Sequence, residues 1–267
     1  NGVRLVGRSF KYHRPRGILT AGSEEPNALV ELRSGPRREP NTRATVVELF
    51  PGLEARSQNS WPHVAFDAMA VNQFAGPLFA AGFYYKTFMG SGLKTWMFFE
   101  RIIRRAAGLG RAAESADPDI YDRMHQHCDV LVIGGGAAGL MAAKAAADDG
   151  LRVVIVDEQN SLGGRLLSER ETVAGQAGAN WASEMAAALA EMPGVSVLTR
   201  TTAFGIYDDQ WVGAVERVAD HLPTPEPHQV RQRYWKIQAR KIILASGAIE
   251  RPLVFPGNDR PGVMIAS

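Results

Sequence analysis

The pattern of apolar and polar positions changes character at residue 128. Cys128–Ile133 is an apolar run of strand length, Ala137–Asp149 has helical spacing, and Leu151–Val156 is a second strand-length run. Strand, helix and strand in about 30 residues make a βαβ unit, which imposes a parallel sheet. Ala182–Met192 reads as a further helix and Val195–Thr199 as a further strand. Three β-prone stretches follow: Ala203–Tyr207, Trp211–Ala219 and Val230–Gln238. Asp208-Asp209 supplies a tight turn and Pro223–Pro227 a looser one, so an antiparallel meander is expected inside the parallel domain. Lys241–Ala245 is one more buried strand, running through Ser246 into a turn at Gly247.

Upstream the pattern is less regular. Residues 27–57 hold short strand-like runs, Ala28–Arg33 and Ala44–Leu49, separated by Ser34-Gly35-Pro36, and predict a small α+β or all-β piece. Residues 61–100 hold 11 of the 22 aromatics, interrupted by glycines and Pro77. That is not one amphipathic helix. It reads as a segment pinned to its own core by aromatic anchors, or as an interface with another subunit. Leu93–Ala107 predicts a helix ending near Gly108, and Asp117–His127 a short helix or linker. The expected division is residues 1–60, an aromatic-rich connection over 61–127, and an α/β domain over 128–267, a Rossmann-like parallel sheet carrying an antiparallel β-meander.

Composition narrows the classes. Hydrophobic residues are 45% of the 267 and charged residues 22%, which excludes disorder, collagen and coiled coil for the whole chain. The net charge of +2 is too balanced for a dedicated nucleic-acid binder. Residues 1–60 carry ten basic and six acidic side chains, and Arg4, Arg8, Lys11, Arg14 and Arg16 have no acid among them. They form either a solvated basic loop or a contact for a phosphate or acidic partner. The single cysteine, Cys128, forbids an internal disulfide and fits a reducing cytoplasm. No apolar run approaches the roughly 18 residues of a membrane span, so neither nucleic acid nor membrane is expected as a partner. The N-terminus, without an initiator Met, reads like the middle of a longer chain.

Chemistry concentrates at Gly134-Gly-Gly136-Ala137-Ala138-Gly139, between the first strand and the first helix of the βαβ unit. Gly134 permits the tight turn, Gly136 lets backbone approach a pyrophosphate, and Gly139 lets the helix pack close to the strand. The helix N-terminus offers N–H groups and partial positive charge to phosphates. Asp157 lies 18 residues after Gly139 at the end of the second strand, with Glu158 next. A carboxylate there accepts from adenosine ribose hydroxyls and repels a 2′-phosphate, disfavouring NADP. Gly163 and Gly164 let backbone pass close to a dinucleotide; Arg165 meets a phosphate or pairs with Glu169. Ala245, Ser246 and Gly247 approach from the other side. Three residues outside this set draw attention. His13 reads as structural or as a flavin contact, Cys128 as a small core residue, and His125 and His127 as an incomplete metal pair.

The fingerprint, acid, Gly-Gly pair, meander and Ala245-Ser246-Gly247 resemble the first dinucleotide-binding domain of the two-dinucleotide-domain flavoproteins, the glutathione-reductase-like group. There the third element is usually Ala-Thr-Gly, and Ser246 replaces the Thr. Glu250–Pro252 and Phe255–Met264 resemble the link into the rest of that fold, so a second lobe is expected beyond Ser267. Phe10–Ile18 and Ala21–Ala28 resemble the ferredoxin-like domain of amine-oxidising multi-subunit flavoenzymes. In cluster-bearing relatives this loop carries cysteines for a [2Fe–2S] centre. Ala21, Gly22, Ser23 and Glu24 include none, so residues 1–60 are expected to be a cluster-less ferredoxin-like piece. With the aromatic stretch and Phe83–Met89, this resembles the α subunits of the heterotetrameric sarcosine oxidase family.

The resemblance implies sarcosine oxidised to glycine, the one-carbon unit passed to tetrahydrofolate, and oxygen reduced to hydrogen peroxide. It implies NAD at the glycine fingerprint of this chain, FMN at the interface with a β subunit, the amine site and its FAD on that β subunit, and no iron–sulfur cluster. Partners would be β, γ and δ subunits, tetrahydrofolate being met only through a C-terminal domain outside this stretch. No catalytic acid, base or nucleophile falls on this chain. Two other readings stand beside this one: the FAD-binding subunit of an amine, proline or opine dehydrogenase, since NAD and FAD present the same adenosine diphosphate to the glycines, and a pure assembly module.

Overall fold

A computed structural model describes residues 4–9, 12–78, 88 and 92–265. The stretch Phe83–Met89, Phe88 apart, lies outside the described residues. The chain forms two compact units, Asp119–Ala248 on the one hand and Asn1–Pro118 with Ile249–Ser267 on the other.

The second unit in chain order of its strands follows the first, whose elements are short. Two-stranded ribbons pair β1 (Gly7–Arg8) with β2 (Pro15–Arg16) and β6 (Pro62–His63) with β7 (Phe66–Asp67). In a three-stranded antiparallel sheet β3 (Leu29–Leu32) lies between β4 (Glu39–Arg43) and β5 (Ala55–Ser57). The expected strand at Ala44–Leu49 is displaced. Ala44–Val46 is a turn of 3₁₀ helix, and the polar run Glu39–Arg43 takes the ladder position beside β3. The Thr45 hydroxyl donates to the Gly22 carbonyl at 2.7 Å, which holds this turn out of the sheet. Helix α1 spans Leu93–Ala106.

Two buried carboxylates organise this unit. Glu25 is fully buried and accepts from the backbone N–H groups of Leu19, Thr20 and Asn27 at 2.7–2.8 Å. Asp67 accepts from the N–H of Trp61 at 2.9 Å and of Met69 at 3.1 Å, and its other oxygen lies 3.0 Å from His13 Nδ1 and 3.3 Å from Arg8 Nε. His13 is therefore a buried structural histidine. Arg16 pairs with Asp259, holding that carboxyl below its ordinary range, and Ile265 N–H donates to Leu19 O at 3.0 Å, which ties the C-terminal stretch to this unit.

The unit Asp119–Ala248 is built on one six-stranded sheet. Its strands are β8 (Ile120–Ile133), β9 (Val153–Val156), β12 (Val195–Leu198), β13 (Thr201–Ile206), β14 (Trp211–Arg217) and β15 (Val230–Leu244). A small ribbon, β10 (Thr172–Val173) with β11 (Gln176–Ala177), stands apart from it. The sheet order is β12-β9-β8-β15-β14-β13; the first four are mutually parallel, and β14 and β13 are antiparallel additions. Helices α2 (Ala137–Asp148) and α3 (Gly178–Glu191) join β8 to β9 and β11 to β12.

The apolar runs become two cores because strand side chains alternate between faces. Val153 and Ile155 pack on one face with Val132, Leu140, Ala143, Ala182 and Leu189; Val154 and Val156 pack on the other with Leu131, Val212, Ala214, Trp235 and Ile237. Each fully buried Val, Leu or Ile contributes roughly 1.5–3 kcal/mol.

Two elements differ from the sequence expectation. Of the stretch expected as a short helix or linker at Asp117–His127, residues 120–127 are the first part of β8. Likewise Val230–Gln238 and Lys241–Ala245 are not two strands but the single β15. The two long strands pair in parallel from Gln232↔Tyr121 to Leu244↔Ile133. Tyr121–His127 is too polar to signal a strand locally. It is held by cross-strand ion pairs: Arg233 bonds Asp122 at 3.0 Å, and the nearly buried Arg231 bonds Asp119 at 2.8 Å and Asp220 at 2.6 Å.

Candidate functional site

The site sits at the C-terminal tips of β8, β9 and β15. Gly134 follows β8 with φ +105°, donates its N–H to Val156 O at 2.9 Å, and would place a Cβ 2.3 Å from Ala245 O. Only glycine meets these demands. A Cβ on Gly139 would fall 1.9 Å from Gly134 O, so this glycine lets α2 close onto the turn. Gly136 is different. Its φ is −70°, and an added Cβ would meet nothing within 4 Å. The protein's own packing does not require a glycine there, and the ground over this stretch of backbone is open. No side chain caps α2, and Ala137 and Ala138 in its first turn are exposed. The first N–H groups of a helix lack intrahelical partners and form an anion seat.

Asp157 follows β9 and is buried. One carboxylate oxygen accepts from Gly135 N–H at 2.6 Å and the other from Gln159 N–H at 2.8 Å. The acid thus also braces the glycine turn, a role that spacing alone does not reveal. Glu158 is half-buried, and its carbonyl accepts from the Arg217 guanidinium. Gly163 N–H donates to Gly135 O at 2.8 Å, Gly163 bridges Gly136, and a Cβ on Gly164 would lie 3.0 Å from Gly136 Cα. On the far side Ala245 N–H donates to Ile133 O at 2.8 Å; Ser246 and Gly247 are exposed beyond it.

The structure therefore brings Gly134, Gly136, Ala137, Ala138, Gly139, Asp157, Gly163, Gly164 and Ala245 together. Arg165 is exposed and bonds Glu169 at 2.6 Å across one helical turn. Sequence reasoning missed Gly135 and Gln159 as donors to Asp157, and Arg217, whose approach from 59 residues away leaves no local signal. Elsewhere, Cys128 is a core residue whose thiol burial, with the Asp129 carboxylate beside it, pushes up to about 11. His127 lies against Trp211 with ring centroids 6.1 Å apart, and no group of three metal-ligating side chains occurs among the described residues.

A glycine turn, a buried acid at the tip of the parallel strand on one side and a third parallel strand that meets the turn from the other side define a dinucleotide-type α/β domain. Residues 128–265 match the pyridine nucleotide-disulphide oxidoreductase family, and the chain belongs to that family. Over its whole length it is homologous to sarcosine oxidase α subunits. It is 58% identical over 266 residues to sarcosine oxidase subunit alpha of Rhizobium meliloti (strain 1021) and 37% identical over 271 residues to that of Corynebacterium sp. (strain P-1). These alignments take 100% of this chain but 27% and 23% of those relatives, so the chain spans about a quarter of their length. L-proline dehydrogenase from P. horikoshii shares the fold, with a TM-score of 0.54 at 17% identity over 98% of this chain and 38% of that one.

Residues 1–60 match the 2Fe-2S iron-sulfur cluster binding domain family. This corrects two expectations: the cluster-less description of the N-terminal piece, and the exclusion of an iron–sulfur cluster from the cofactors. Donor types limit what ligates a cluster and do not define the family of the segment. [2Fe–2S] clusters are held by cysteine thiolates, residues 1–60 contain no cysteine, and the loop from Leu19 to Asn27 closes around the Glu25 carboxylate. These side chains do not supply the thiolate set.

Proposed function

We propose that this chain is the nucleotide-binding part of the α subunit of a hetero-oligomeric sarcosine oxidase, and that its site holds NAD. The observation that carries the nucleotide reading is the open ground over Gly136, framed by a turn that Gly134, Asp157 and Gly163 brace. The amides of Gly136, Ala137, Ala138 and Gly139 face the pyrophosphate; Asp157 and Glu158 accept from the adenosine ribose and repel a 2′-phosphate. Gly163, Gly164, Ala245, Ser246 and Gly247 let backbone line the remaining length, and Arg165 leaves Glu169 to meet a phosphate. NAD when bound carries a hydride equivalent; FAD at the same glycines would accept two electrons.

Full-length homology to sarcosine oxidase α subunits supports the amine-oxidase assignment. In this reading sarcosine is oxidised to glycine on a partner subunit, with the one-carbon unit passed to tetrahydrofolate and oxygen reduced to hydrogen peroxide. This chain helps form the flavin-bearing interface and contributes no acid, base or nucleophile. The lone buried Cys128 fits a reducing compartment such as the cytoplasm, and no helix among the described residues is long and apolar enough to cross a membrane.

The test is turnover by the full-length chain produced with its partner subunits. Sarcosine-dependent oxygen uptake with glycine as product is expected. No turnover of sarcosine, with proline or an opine reducing a dye instead, would replace this reading with the dehydrogenase one.

A further inference from the structure

The loop after β9 is held from behind at successive carbonyls. Thr201 N–H donates to Asp157 O at 2.7 Å, and Arg200 N–H donates to Gln159 O at 2.7 Å. Between them the Glu158 carbonyl accepts from the guanidinium of Arg217, the last residue of β14. The outer two bonds are main chain to main chain; the middle one depends on a side chain. The base of that side chain is fixed as well, because Arg217 N–H donates to Arg200 O at 3.0 Å.

The peptide joining Glu158 to Gln159 is thereby gripped at both ends. Its carbonyl meets Arg217, and its N–H donates to one Asp157 oxygen at 2.8 Å. The other Asp157 oxygen accepts from Gly135 N–H at 2.6 Å. A hydrogen-bonded chain thus runs from the guanidinium through this peptide and the buried carboxylate to the glycine turn. The cation lies at the carbonyl end and the anion at the N–H end, so both polarise the peptide in the same sense, and bonds in such a chain strengthen one another.

We propose that Arg217 is a positioning residue for the nucleotide site. It fixes the peptide after Glu158, and so sets the carboxylates of Glu158 and Asp157 for the adenosine ribose hydroxyls. It acts through the loop and not on the nucleotide. The meander that carries it is therefore part of the nucleotide-binding apparatus. This inference rests on the reading that the site holds NAD.

The experiment uses the full-length chain produced with its partner subunits and freed of bound nucleotide. It compares the affinity for NAD with that for an NAD analogue whose adenosine ribose lacks both hydroxyls. The unaltered protein should prefer NAD. Arg217→Met should cut that preference about tenfold, by weakening NAD and leaving the analogue nearly unchanged; tenfold is the worth of one ordinary hydrogen bond. Arg217→Gln, shorter and uncharged, should show the same loss and stands in if the Met variant does not assemble. Arg217→Lys, which keeps a charged donor, should retain most of the preference. Partial unfolding lowers the binding of both ligands equally and leaves their ratio alone. Equal loss for both ligands, an unchanged preference, or a Lys variant no better than Met overturns the proposal. If the unaltered protein does not bind NAD, the nucleotide reading itself fails; if it binds NAD and the Arg217 variants keep the preference, only this inference does.

Discussion

At the level of single residues, the glycine motif separates into positions that the protein's packing needs and one, Gly136, that it does not. Gly134→Ala forces a Cβ into φ +105° and against Ala245 O. It should destabilise the domain by roughly 1–3 kcal/mol from backbone strain alone. Gly136→Ala meets nothing and has an ordinary φ, so its unfolding midpoint in denaturant should match the parent's while nucleotide retention falls. Equal stability loss in both variants would remove the distinction. Asp157→Ala tests the brace. It leaves the N–H groups of Gly135 and Gln159 without their acceptor, which costs about 1–3 kcal/mol for a buried donor. Equilibrium unfolding should show that loss together with reduced nucleotide content; loss of nucleotide with unchanged stability would confine Asp157 to ligand contact. The place of Asp157 at the tip of the second strand was legible from its spacing after Gly139. The brace was not, because its bond partners are main-chain groups whose position depends on the closed turn.

At the level of elements, legibility followed burial. Val153–Val156 and Cys128–Ile133 lie in the sheet's two-sided core and announce themselves as continuous apolar runs. The half of β8 before Cys128 does not, since its partner residues on β15 lie more than 100 positions away and the pairing is carried by Arg231 and Arg233 with acids. Such long-range electrostatic pairing leaves no periodicity to read. Another pair at this junction gives a pH signature. Hydrogen bonds from Arg152 hold the Asp129 carboxyl near about 2, against an ordinary 3.8. A depressed folded-state pKa means the contribution is complete above pH 3.8 and is lost as pH falls towards 2. Asp129→Asn should therefore lower the acid stability of the protein above that window and converge with the parent below it. Parallel curves throughout would show that the pair does not couple to folding. The pair is exposed, so the separation should be small and should shrink with added salt.

At the level of the whole molecule, the α/β unit and the N-terminal unit were legible to different degrees for a chemical reason. A dinucleotide fold writes its function into glycines and one acid at fixed spacing. The N-terminal piece was legible as ferredoxin-like, and reading its loop by its cysteines misjudged only its cluster class. Its organising groups, Glu25 and the Asp67–His13 pair, satisfy buried backbone and side-chain polar atoms within the unit and announce no chemistry in sequence.

We propose that this chain carries an NAD site of its own. The most direct measurement denatures the full-length protein, separates the released nucleotides by chromatography with absorbance and mass detection, and counts them per α chain. One NAD per α chain, with flavins traced to partner subunits, is the predicted result. Release of no adenine dinucleotide from the α chain would contradict the account, and release of FAD in place of NAD would make the chain a flavoprotein in its own right.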